Sequence, residues 1–135
     1  MKKILYIFIL SFVLNYIWEN LHSVLYVNYQ GGEITQSILL HATLVDAFIL
    51  TPLIIIVSLL FQPKYHAPLI FTAGVIIAIG IETWALDTNR WLYSSAMPII
   101  PIIKTGLTPT IQLGLTGLCT YYLTELLITL SSRRN

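Results

Sequence analysis

Apolar residues gather into four long stretches, at about 4–27, 37–61, 69–86 and 107–130, with polar residues concentrated between them. Each stretch reaches the roughly 20 residues that a helix needs to cross a bilayer. The pattern therefore predicts an all-α protein: a single integral membrane domain, residues 1–135, folded as a four-transmembrane-helix bundle. The first break holds Gly31, Gly32 and Glu33, a turn composition. The second, 62–68, carries Pro63 and Pro68, which are expected to interrupt helix pairing, and its His66 reads as a loop histidine. The third, 87–106, contains the apolar run Ala96-Met97-Pro98-Ile99-Ile100-Pro101-Ile102-Ile103. Such a run is not a fully solvated loop, and its two prolines bar an ordinary helix. An apolar interfacial or re-entrant segment between helices 3 and 4 is expected.

Charge placement orients the bundle. Lys2, Lys3, Lys64, Arg133 and Arg134 fall on one side of the four spans, and Arg90 and Lys104 on the other. The positive-inside rule then puts both termini in the cytoplasm and makes the chain a multi-pass protein of a cell membrane, with the bacterial inner membrane expected. The start of the chain imitates a signal peptide, but it runs on into Asn15, Trp18, Glu19 and His22 without a small-residue cleavage site, so it reads as a retained first helix. Composition agrees: 56% of residues are hydrophobic, 10% are charged and mean hydropathy is +0.80, which argues against a soluble globular domain. A net charge of +1 without a basic cluster argues against a nucleic-acid partner. Cys119, the single cysteine, leaves no intrachain disulfide or cysteine-rich metal site and reads as a small packing residue.

Polar residues inside the spans carry the candidate chemistry. Ser11, Asn15, Glu19, His22 and Tyr26 are spaced by four, four, three and four, one stripe of a helix that lipid cannot solvate. When depth is counted from the end away from the termini, His22, His41, Glu82 and Gln112 fall at one level, with Glu19 and Asp46 about one turn deeper. A carboxyl at membrane depth must be paired or protonated, so this convergence is the main functional signal. Gly74, Ala78 and Glu82 form a small-residue ridge on the third helix, and Thr108, Gln112, Thr116, Thr120 and Thr124 a polar one on the fourth; both are expected to face inward. Pro52 is expected to kink the second helix.

Two kinds of reading fit these residues. Glu19-x-x-His22 has the spacing of the Glu-x-x-His element of carboxylate-bridged di-metal bundles, although that pattern needs two such elements and here one is found. Glu19, His22, His41 and Glu82 form a candidate ligand set for a divalent metal, and the same cluster with Asp46 suits acid/base catalysis. Alternatively, Glu19 and His22 form a buried hydrogen bond that locks packing. Arg90, Tyr93, Lys104 and Gln112 are candidate substrate-binding residues: Arg90 with Lys104 could hold an anionic headgroup, or Arg90 could pair locally with Asp87. Trp84, Trp91 and Tyr93 read as boundary anchors, and Glu125 as a group reaching solvent or headgroups.

The stretches Trp18 to Tyr26, His41 to Asp46, and Glu82 through Arg90-Trp91-Leu92-Tyr93 to Gln112 resemble a group of small, uncharacterised bacterial four-helix membrane proteins. A fainter similarity is to membrane carotenoid hydratases, whose glutamate followed by an Arg-x-Tyr-like element is echoed by Glu82, Arg90 and Tyr93. That similarity implies a lipid or isoprenoid-like substrate. The expected function is a membrane-embedded enzyme or binding protein acting on such a molecule, with membrane lipid as its partner. The alternative is a non-catalytic proton- or ion-linked transport subunit, for which a homo-oligomer is expected, or a small structural membrane partner.

Overall fold

The structure, a computed structural model, describes residues 2–133; Arg134, counted above among the basic residues, lies outside them. Four long helices dominate: α1 (Lys2–His22), α2 (Gln36–Leu60), α3 (Pro63–Asp87) and α4 (Leu107–Ser132). All four are long and apolar enough to cross a membrane. At about 1.5 Å per residue each exceeds the roughly 30 Å of a hydrocarbon core.

The helix ends differ from the sequence expectation in two places, and both differences shape the site. α1 stops at His22 rather than running to about 27; a 3-10 turn (Ser23–Leu25) follows, and then a short strand, β1 (Tyr26–Tyr29). That strand pairs antiparallel with β2 (Trp91–Tyr93), which follows α3, in the register Tyr26 to Tyr93 and Tyr29 to Trp91. Both segments are rich in aromatic residues, and ladder bonds to a partner strand replace the hydrogen bonds that further helix would have supplied. At the other end α3 begins at Pro63, not near residue 69. Proline fits the first helical turn because its missing N–H has no partner there in any case. His66 is therefore a buried helical residue, not a loop histidine. Its Nε2 lies 2.9 Å from the Phe61 carbonyl and its Nδ1 3.0 Å from the Tyr121 hydroxyl. With Nε2–H donating to the carbonyl, Nδ1 accepts from the tyrosine, which fixes the tautomer and clamps the α2–α3 turn onto α4.

α1 lies along both α2 and α4, and α3 lies along α4; α2 meets α3 less closely. α1 and α4 are antiparallel and zipped by polar contacts, from Lys3 Nζ on Glu125 Oε1 at 2.6 Å, through Ser11 on Thr120, to Thr116 on Asn15. Glu125, read as a group reaching solvent or headgroups, is paired with Lys3 where both are part-exposed. α3 and α4 cross where Gly74 meets Gly114; a Cβ on Gly74 would sit 2.7 Å from backbone atoms of Leu113 and Gly114. The expected inward ridges are found: Gly74, Ala78 and Glu82 are buried, as are Gln112, Thr116, Thr120 and Thr124. The apolar core, Ile7, Leu50, Ile54, Val57 and Ile70 with Ala78 and Leu113, fills the bundle toward the terminal end. Cys119 is exposed on α4, not packed inside.

The third connection folds as an irregular hairpin. The Ile100 amide donates to the Thr105 carbonyl and the Leu107 amide to the Pro98 carbonyl, with an isolated bridge between Ile99 and Gly106. Met97 is buried beneath Gly106, and Ile102 is 92% exposed.

Candidate functional site

The sheet end of the bundle holds a chamber of about 600 Å³. Because α2 and α3 are less closely paired, it lies between residues 37–46 of α2 and 78–84 of α3, with α1, α4 and the sheet completing its walls. Seven of the nine candidate residues line it: Glu19, His22, His41, Asp46, Glu82, Arg90 and Gln112. Tyr93 stands just behind that wall, and Lys104 lies apart on the exposed hairpin, where its φ of 57° serves a turn.

The polar residues form two connected groups, not one level. In the deeper group the Gln112 side-chain nitrogen is 2.7 Å from Glu19 Oε1, 2.8 Å from Asp46 Oδ2 and 3.2 Å from Asn15 Oδ1. One amide from α4 therefore faces polar groups of α1 and α2, and its two hydrogens are shared among three acceptors. Asn15 is fully buried and satisfied: Oδ1 also accepts from Thr116 at 3.1 Å, and Nδ2 donates to the Ser11 carbonyl at 2.8 Å. Gln112 meets Glu19 here because α1 ends at His22, which moves the α1 stripe about a turn closer to the sheet end than a helix reaching residue 27 would place it.

The second group centres on Glu82, which is 5% exposed. Its Oε2 accepts from the Trp91 indole N–H at 3.2 Å and from the Tyr93 hydroxyl. Tyr93 in turn accepts the Gly106 amide at 2.9 Å, so the strand and the hairpin both anchor the carboxyl. Burial, and then the bond to Glu82, push the Tyr93 hydroxyl above the usual phenol range. Burial, followed by Glu82, does the same to Tyr26. Both phenols remain neutral donors at ordinary pH.

His22 sits between the groups. Its Nε2 is 3.4 Å from Glu19 Oε2, its ring lies edge-on to Tyr26 with centroids 5.3 Å apart, and its buried Nδ1 has no hydrogen-bond partner. The Glu19–His22 hydrogen bond of the packing alternative is therefore present, but it belongs to a larger network open to a cavity.

The remaining candidates are arranged less tightly. His41 is exposed at the chamber's edge. Arg90 lies within ion-pair reach of no carboxylate among the described residues, Asp87 included; its guanidinium sits 4.4 Å from the Trp84 ring centroid. No three His, Cys, Asp or Glu side chains among the described residues are grouped so as to hold a metal ion. The candidate set of Glu19, His22, His41 and Glu82 is not drawn together: Glu19 is bonded to Gln112, Glu82 to the sheet aromatics, and His41 is exposed at the chamber's edge.

Trp91 and Tyr26 matter more than their reading as a boundary anchor and the end of a stripe suggested. The signal for the former was the alternation in Trp91-Leu92-Tyr93, which places Trp91 and Tyr93 on one face of a strand; Tyr26-Val27-Asn28-Tyr29 carries no such alternation. Comparison with protein-family models, curated proteins and solved structures gave no match.

Proposed function

We propose that this chain is a multi-pass protein of a bacterial inner membrane, with both termini in the cytoplasm, whose chamber lies in the outer half of the bilayer. We further propose that the chamber takes a lipid or isoprenoid-like molecule for binding or acid/base chemistry. The observation that carries this is the 600 Å³ chamber itself, which brings carboxyls from α1, α2 and α3 against otherwise largely apolar walls. A concave, mainly apolar pocket with a few convergent polar groups is the usual form of a small-molecule site. In a bilayer, a gap between two helices also gives a tailed molecule a route in.

The chemistry that suits this lining is proton transfer. Glu19 and His22, 3.4 Å apart, form a carboxyl–imidazole pair able to share a proton, Gln112 donates to Glu19 and to Asp46 and so positions both carboxyls, and Glu82 is held in place by two donors. Gln112 and Tyr93 act as positioning residues, and Arg90 stands at the rim. Among the described residues, four of the six Lys and Arg, namely Lys2, Lys3, Lys64 and Arg133, lie at the terminal end of the bundle, which supports the orientation.

The test is extraction of the protein in mild detergent, followed by mass analysis of whatever tailed molecule stays with it. An apolar-tailed molecule enriched over the bulk lipid at about one per chain is expected. A lipid extract with bulk composition, unchanged by filling the chamber with Ala42→Trp, would contradict the reading.

A further inference from the structure

The charge and ring lining of the chamber narrows the class of its occupant. Glu19, Asp46 and Glu82 place a carboxyl on each of three helices. Among the described residues Arg90 is the one Lys or Arg in the lining, and it is stacked on Trp84; Lys104 takes no part. An anionic headgroup would meet three carboxyls with one rim cation to offset them, in surroundings where water screens little.

The aromatic residues point the same way. Tyr26, Tyr29 and Trp91 line the chamber; the Tyr26 and Trp91 planes are perpendicular at 90° with centroids 6.1 Å apart, and Tyr29 stacks on Trp91. The Trp91 N–H is bonded to Glu82, which sets a carboxyl beside the indole. Ring faces carry negative potential, and rings at right angles combined with carboxyls are the means by which proteins hold ammonium groups.

Resting on the chamber reading above, we propose that the ligand is an amphiphile with an amine or quaternary ammonium headgroup. The headgroup sits among Glu82, Glu19 and the Tyr26–Trp91 corner, and the tail leaves between α2 and α3 past Val45 and Ile81. Binding is then an exchange of bulk hydration for carboxyls and ring faces, and it involves no covalent step.

Native mass spectrometry of the detergent-solubilised protein tests this with four probes of one tail length: dodecylamine, dodecyltrimethylammonium, dodecanol and dodecyl phosphate. The two cations are expected to form one-to-one complexes at least about tenfold tighter than dodecanol, with dodecyl phosphate weakest. Glu82→Gln keeps an oxygen acceptor for Trp91 and Tyr93, so its fold is expected to survive; it should weaken the cations about tenfold and leave dodecanol unchanged. Asp46→Asn serves as a second variant with the same expectation. Equal binding of all four probes, or tightest binding of the phosphate, would overturn the headgroup assignment while leaving an apolar-tailed ligand in place. Binding of none would overturn the assignment, and the fate of the broader reading would then rest on the lipid extract.

Discussion

Gln112 of α4 donates its side-chain amide to the Glu19 carboxyl of α1 at 2.7 Å, across two helices that are 93 residues apart in sequence. The same nitrogen reaches Asp46 on α2, so this one side chain joins three helices at the floor of the chamber.

Replacing Gln112 with Leu would leave Glu19 and Asp46 without that donor in a poorly solvated place. The expected loss is about 1–3 kcal/mol, above the roughly 0.6 kcal/mol average for a hydrogen bond between membrane helices. Thermal unfolding in mild detergent measures it. An unchanged midpoint would show that the carboxyls find other partners at no cost.

The α3–α4 crossing predicts a contrast between two glycines on one helix. Gly74→Ala would drive a Cβ to 2.7 Å from α4 backbone, where neither chain gives way, and is expected to cost about 1–3 kcal/mol. Gly80 has nothing within 4 Å of an added Cβ, so Gly80→Ala should be neutral or slightly stabilising. Equal effects at the two positions, in the same unfolding assay, would contradict the close approach.

The sheet end should weaken in alkali. Tyr93 and Tyr26 have hydroxyls raised above the ordinary value of 10.0 by burial and nearby carboxyls. A raised folded-state value means the stabilisation is complete below the unfolded value, near 10, and is lost as pH climbs through the higher folded value. Unfolding midpoints should therefore fall above about pH 10, and Tyr93→Phe should reduce that slope. A slope identical in Tyr93→Phe and the parent would remove Tyr93 from the account.

Four helices were legible in the sequence because hydropathy over 20 or more residues is a strong, local signal, and the inward stripes on α1, α3 and α4 followed from helical spacing. What escaped was non-local or short. Nothing within residues 23–29 announces that Tyr26 will find Tyr93 across 67 positions, and an aromatic segment next to a long helix reads as more helix. Pro63 has the composition of a break yet opens α3, so His66, which reads as a loop residue from its neighbours, is a buried clamp in the fold. Among the site residues, Glu19, His22, Asp46, Glu82 and Gln112 were recognisable because charged and amide groups are costly at membrane depth. Lys104 was grouped with Arg90 by charge alone, and the hairpin carries it away.

Membrane orientation has its own test. Residues 28–36 and 87–106 are expected outside, and 62–68 and both termini in the cytoplasm. A cysteine introduced at Gly32, in a Cys119→Ala background, should react with an impermeant reagent in intact cells, whereas one at Lys64 should not. Labelling at position 64 instead would invert the bundle and place the chamber on the cytoplasmic side.

The most direct measurement compares ligand occupancy with stability across Glu19→Gln, His22→Ala, His41→Ala and Glu82→Gln, using whichever tailed molecule co-purifies with the parent protein. If these residues serve a binding or reactive chamber, occupancy should drop about tenfold at Glu19, His22 and Glu82 and less at the exposed His41. The unfolding midpoints of the two Gln variants should stay close to the parent. Midpoints lowered at every buried position, with occupancy retained in the protein that remains folded, would contradict the account and make these polar contacts the packing of a structural membrane protein.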